Sequence, residues 1–166
     1  DIHSFPPRRS SDLRIHRLLE ESNRGFRFYH ATTAVALWRD GVDAGTTALI
    51  RRRGSLARRL LRIADEVDAL LPAARATVAR HADHLDLFAN CARRIRLLGL
   101  RLSGSGSRAE QLALIAAIRA EYETLWLRHN RRPMLDVVLR KYDELAARIR
   151  AGTEPGGPGN APRWRG

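Results

Sequence analysis

His81-Ala82-Asp83-His84, followed by Asp86, is the densest group of potential metal ligands in this 166-residue chain. On a helix His81 and His84 share a face, so both imidazoles can be offered to one divalent ion. Asp83 falls elsewhere on the wheel, no third ligand is fixed, and the H-E-x-x-H pattern of a helical zinc site is not completed. The residues read as a solvated polar face, and no metal or cofactor is assigned. Cys91 is the one cysteine, which excludes an internal disulfide framework and any cysteine-based zinc site. A nucleophilic role would need a base and an orienting group, and no cysteine-hydrolase signature surrounds it, so Cys91 reads as a small packed side chain. Glu20-Glu21, Asp65-Glu66-Asp68 and Asp143-Glu144 are carboxylate groups in sequence, but neighbours on a helix point apart and make poor acid and base partners. No catalytic residue is assigned.

The basic residues offer a different chemistry. Lys and Arg total 30 against 18 Asp and Glu, a formal net charge of +12. Lys141 is the one lysine. Arg51-Arg52-Arg53 with Arg58, Arg59 and Arg62 is the strongest cluster, and Arg93-Arg94-Arg96 is a second. Clustered cations can displace counterions from a phosphate backbone. No aromatic platform for bases is interleaved with them, and Gly104 and Gly106 lack the Gly-Lys-Ser/Thr that completes a phosphate loop. Heavy use of Arg and Ala is also what a GC-rich coding sequence yields, with no ligand implied.

The elements that must carry these residues are helical. Ile15, Leu18 and Leu19 have helical spacing in 14–21, before a break at Ser22-Asn23-Arg24-Gly25. Helices are expected over about 28–39 and 46–53. Ser55 is a plausible N-cap for a helix with Leu56, Leu60, Ile63, Val67 and Leu70 on one face. Pro72 is expected to end or kink it. A long helix from about 73 to 102 buries Val78, Leu85, Phe88, Ala92, Ile95, Leu98 and Leu102. Ser107 with Glu110 forms a capping-box pattern, opening a helix to about His129 with Leu112, Ile115, Tyr122, Leu125 and Trp126 inward. Leu135, Val138, Leu139, Tyr142, Leu145 and Ile149 line the last helix, which stops at Gly152. Short connections and the absence of strand alternation make this an all-α, antiparallel helical bundle. Trp126, Leu125, Tyr122, Phe88 and Ile95 are expected to be largely buried.

His3 to Leu13 resembles the conceptual translation of a short-read sequencing adapter, with Pro7 at the one position that differs. Residues 1–13 are therefore set aside as adapter-like and disordered, 14–30 as a connecting segment, 31–152 as the bundle and 153–166 as a Gly/Pro-rich tail. The one methionine is Met134, which reads as a piece of a longer protein. No run approaches the roughly 18 apolar residues of a membrane helix, and a cytoplasmic location is expected.

Glu121-Tyr122-Glu123-Thr124-Leu125-Trp126-Leu127-Arg128-His129-Asn130-Arg131 is the least generic stretch. With Asp136-Val137-Val138-Leu139-Arg140-Lys141-Tyr142, and more loosely with Leu87 to Arg96, it resembles the C-terminal helices of bacterial glycoside hydrolase family 20, the β-N-acetylhexosaminidase-like enzymes. The likeness spans roughly 29–150. It departs at Arg132-Pro133-Met134, where the family has Pro followed by glycines. The resemblance implies a fragment that follows a missing (β/α)8 barrel, with that parent barrel as its partner. An amino-sugar glycoside would be the substrate of the full-length enzyme alone. The family's catalytic carboxylates form an Asp-Glu pair on barrel strands, and no such pair is carried over here, so the fragment is expected to be inactive by itself. The other reading is a free-standing basic helical module that binds nucleic acid or another acidic partner.

Overall fold

The computed structural model describes residues 10–23, 53–77 and 82–152, which form five α-helices and, among the described residues, no strand. These are α1 (Ser10–Asn23), α2 (Arg53–Thr77), α3 (Ala82–Ser103), α4 (Arg108–His129) and α5 (Leu135–Ala151). The helices expected over 28–39 and 46–53 fall almost wholly outside the described residues.

Ion pairs between neighbours fix the directions. Arg14 reaches Glu66 and Arg62 reaches Glu21; Arg96 reaches Asp65 and Asp68, while Arg75 reaches Asp86. Arg93 meets Glu121, and Arg119 meets Asp143. The start of α3 at Asp83 faces the end of α4 at Arg128, and a Cβ on Gly152 after α5 would lie 3.0 Å from Arg108 Nη2 at the start of α4, so the sequential pairs α1–α2, α2–α3, α3–α4 and α4–α5 are antiparallel. We call the end where α2 finishes, α3 begins, α4 finishes and α5 begins the distal end.

α3 is the central element. It packs against α1, α2 and α4, and Arg94 on it interacts with Tyr142 of α5. Its buried arc is correspondingly wide, including Leu85, Ala89, Ala92, Ile95, Leu97 and Leu98. At Gly99 a Cβ would lie 2.9 Å from Leu61 Cγ and 3.4 Å from the Ala57 carbonyl oxygen, so glycine permits the close approach of α2 and α3.

The expected stripes are largely observed. Leu56, Leu60, Ile63 and Val67 of α2 are buried, as are Leu135, Leu139, Tyr142, Leu145 and Ile149 of α5. Ile95 is buried, but Phe88, Tyr122, Leu125 and Trp126 are only half-buried. For Tyr122, Leu125 and Trp126 the reason is local: they line an open groove between α3 and α4.

Several boundaries differ from expectation. α1 begins at Ser10, inside the adapter-like stretch, and its Ile15 and Leu18 belong to the core. The bundle thus includes part of the segment expected to be a mere connection, because two apolar side chains one turn apart gain more from packing on α2 than from water. Ser55 lies within α2 rather than capping it. Pro72 does not end the helix, which continues to Thr77. The carbonyl that Pro72 leaves without an amide belongs to Asp68, on an exposed face, where water can take it. Buried Leu71 and Ala74 hold the helix on either side of the proline.

Ser107 caps α4 as expected, its Oγ accepting from the Glu110 amide at 3.1 Å. The preceding turn is a Schellman motif. Gly104 adopts φ 68°, its amide donates to Arg101 O, and the Ser105 amide donates to Leu100 O. The two glycines of this stretch serve chain reversal.

Candidate functional site

The His81–Asp86 cluster lies at the first turn of α3, where a negative side chain complements the helix dipole. His81 is outside the described residues. Asp83 and Asp86 do not converge on a vacant centre; they face the last turn of α4. Arg128 Nη1 donates to Asp83 Oδ1 at 2.6 Å and to Asp86 Oδ2 at 2.9 Å. His129 Nε2 lies 2.9 Å from Asp83 Oδ2, and Arg75 Nη1 from α2 lies 2.7 Å from Asp86 Oδ1. All four carboxylate oxygens are occupied by cationic or imidazole groups. The hydrogen bonds from Arg128 and His129 lower the pKa of Asp83 below its ordinary value. Burial opposes ionisation of Asp86, but the Arg128 and Arg75 hydrogen bonds outweigh it and its pKa is also lowered. Among the described residues no group of three metal-ligating side chains comes together. This network clasps three helix ends.

Four other acidic groups of the runs Asp65-Glu66-Asp68 and Asp143-Glu144 are used in the same way. Glu66 faces Arg62 and Arg14, Arg96 bridges Asp65 and Asp68, and Arg119 holds Asp143. No two of them are left opposed across a cleft as acid and base. Of the basic clusters, Arg62, Arg93 and Arg96 are neutralised within the bundle. Arg58 is exposed, whereas Arg51 and Arg52 are outside the described residues.

Two polar features escaped the sequence reading. Asn90 is fully buried within the apolar face of α3, and its Nδ2 donates to Ile118 O and to Glu121 Oε2. Arg94 points Nη2 at Cys91 Sγ, 2.8 Å away, beside Tyr142. Burial works against the Arg94 charge, yet the influence of Cys91 and Tyr142 prevails and its pKa is raised. Burial also raises the pKa of Tyr142 and of Tyr122, whose ring centroid lies 6.0 Å from that of Tyr142. The sequence signal for Asn90 was available: a polar residue flanked by apolar Ala89 and Ala92 on a periodic stripe. Arg94 offered none, since arginine within an arginine-rich run marks no particular face.

The distinctive α4 segment has a defined geometry. Tyr122, Leu125, Trp126 and His129 recur at spacings of three, one and three, one helical face, and oppose Asp83, His84 and Leu87 of α3. Together with Asn130 they line a groove of about 560 Å³. The Trp126 indole is fixed by donation from Nε1 to Arg131 O at 2.8 Å. On the other side of Leu125 a second cavity of about 360 Å³ is lined by the ion pairs of Arg75, Asp86, Arg93, Glu121 and Arg128.

No family model, curated protein or solved structure matches this chain. Among the described residues, no helix is long and apolar enough to cross a membrane.

Proposed function

We propose that this chain is a non-catalytic helical module of a β-N-acetylhexosaminidase-like hydrolase, of the kind that follows the barrel in family 20, without hydrolytic activity of its own. The observation that carries the reading is how the segment Glu121–Arg131, on which the resemblance rests, is used. Glu121 accepts from Asn90 and Arg93, Arg128 clasps Asp83 and Asp86, and Trp126 closes the turn onto Arg131. Each joins helices or shapes a surface. Asp65, Glu66, Asp83, Asp86, Glu121 and Asp143 are engaged by guanidinium groups, which supports a scaffold rather than a pair of acid and base catalysts. An amino-sugar glycoside is then a substrate of the whole enzyme, through carboxylates on its barrel.

The purified chain is expected to release no chromophore from a chromogenic N-acetylglucosaminide. Turnover abolished by replacing one of its own carboxylates would overturn the reading, as would an upstream coding sequence with no barrel and no Asp-Glu pair. The competing reading, a free-standing module for nucleic acid, is weakened by the internal neutralisation of Arg62, Arg93 and Arg96.

A further inference from the structure

Five large apolar side chains are left exposed among the described residues, Leu13, Leu87, Leu127, Met134 and Val137, and of these Leu87 lines a groove. Scattered exposed apolar residues such as the other four need no explanation, but one that walls an aromatic-lined groove marks an interaction surface. Leu87, 40% exposed, is at once one of these residues and a wall of the α3–α4 groove. The groove is concave, floored by the half-buried Tyr122, Leu125 and Trp126, and bounded by two antiparallel helices. That form suits the apolar stripe of an amphipathic helix, which offers side chains at i, i+3, i+4 and i+7.

The charge at its edge defines the partner further. The Asp83 and Asp86 oxygens are already occupied. Arg128 uses only Nη1 for those bonds, so Nε and Nη2 retain donor capacity. Arg131, in the turn that follows α4, is exposed and has no carboxylate partner among the described residues; Arg132 has only longer contacts, at 3.4 and 3.8 Å. Asp83, in the lining, has its acceptors saturated, while Arg128 bonded to it and Arg131 next to the lining residue Asn130 keep surplus donors, the complement of carboxylates. We propose that this groove docks an amphipathic α-helix from another polypeptide or domain, with Asp or Glu beside its apolar stripe. The inference does not rest on the hydrolase reading. A second copy is disfavoured by the +12 charge that each chain would bring, and a lipid surface by the concavity.

The test uses the full chain and a fluorescently labelled, helix-forming probe peptide with a Leu stripe flanked by Glu. A Lys-flanked version and a scrambled version with the same composition as the Glu probe serve as controls. Fluorescence anisotropy at low salt is expected to show the Glu probe binding at least about tenfold more tightly than either control. Leu87→Asp is expected to weaken it about tenfold or more, Arg131→Glu severalfold, and Val137→Asp, outside the groove, not at all. Circular dichroism checks that each variant remains helical. Equal binding of Glu and Lys probes, or indifference to Leu87→Asp in a folded variant, overturns the proposal. So does self-association in sedimentation that Leu87→Asp abolishes, or binding to phosphatidylserine vesicles with none to the Glu probe.

Discussion

Met134 is the one described non-glycine residue with positive φ, at 72°, and it occupies the N-cap of α5 without a side-chain hydrogen bond. An L side chain in the left-handed region costs about 1–2 kcal/mol, and with 65% exposure this one loses little packing if removed. Met134→Gly is therefore expected to raise stability by about 1 kcal/mol, read as a higher midpoint in urea denaturation. Gly99 presents the opposite case. Alanine would gain about 1 kcal/mol of helix propensity, but its Cβ would meet Leu61 Cγ at 2.9 Å and approach the Ala57 backbone. Overpacking of that kind costs about 1–3 kcal/mol. Gly99→Ala is expected to lower stability by about 1 kcal/mol, and adding Leu61→Ala should remove part of the strain. An additive double mutant would show that the two positions do not interact. Neither feature was legible in advance. The strain at Met134 arises from the Arg132–Met134 turn, and the crowding at Gly99 from a helix with which it has no periodic relation in sequence.

The elements were more legible than their limits. Apolar periodicity located the cores of α2, α3 and α5 because burial of one face governs helix placement, whereas on α4 it found Ile115 and missed the buried Ile118. It missed the continuation through Pro72, since a proline penalty is a local property that flanking buried residues can offset. It also could not foresee that the polar first turn of α3 closes on α4, because the partners Asp83 and Arg128 are 45 residues apart. That clasp makes its own prediction. Asp83 and Asp86 have pKa values below their ordinary 3.8 in the folded chain. Folding thus favours their charged forms: the stabilisation is present above the ordinary value and lost as pH falls through the depressed folded values. Backbone amides of the first turn of α3 and last turn of α4 should become exchange-labile below about pH 4, ahead of the α2–α3 centre. Asp86→Asn should cost about 1 kcal/mol at pH 7, the scale of a partly exposed ion pair, and flatten that acid response. An unchanged acid profile in the Asn variant would place the transition elsewhere.

At the scale of the whole molecule the net charge is +12, and the cations of the described residues are distributed unlike their sequence clusters. Arg62 is shared between Glu21 of α1 and Glu66 of its own helix, Arg96 between Asp65 and Asp68 of α2, and Arg93 is held by Glu121. Among the described residues, Arg58 and Arg62, and likewise Arg93, Arg94 and Arg96, are divided by the helical wheel between ion pairs, the interior and solvent. Cations exposed without a carboxylate partner among the described residues are dispersed, with Arg17 on α1, Arg58 on α2 and Arg140 and Arg150 on α5. Dispersed charge attracts a polyanion without giving it a register, and its contribution falls steeply with salt as counterions compete. Binding to a duplex DNA of arbitrary sequence is accordingly expected to be measurable at low ionic strength and lost near about 0.15 M salt. Arg17→Gln with Arg58→Gln should weaken it by the same small factor as Arg140→Gln with Arg150→Gln, and reduce the salt slope equally. If one pair abolished binding while the other left it intact, or if one DNA sequence were retained at physiological salt, the charge would have a localised site and the nucleic-acid reading would replace the scaffold.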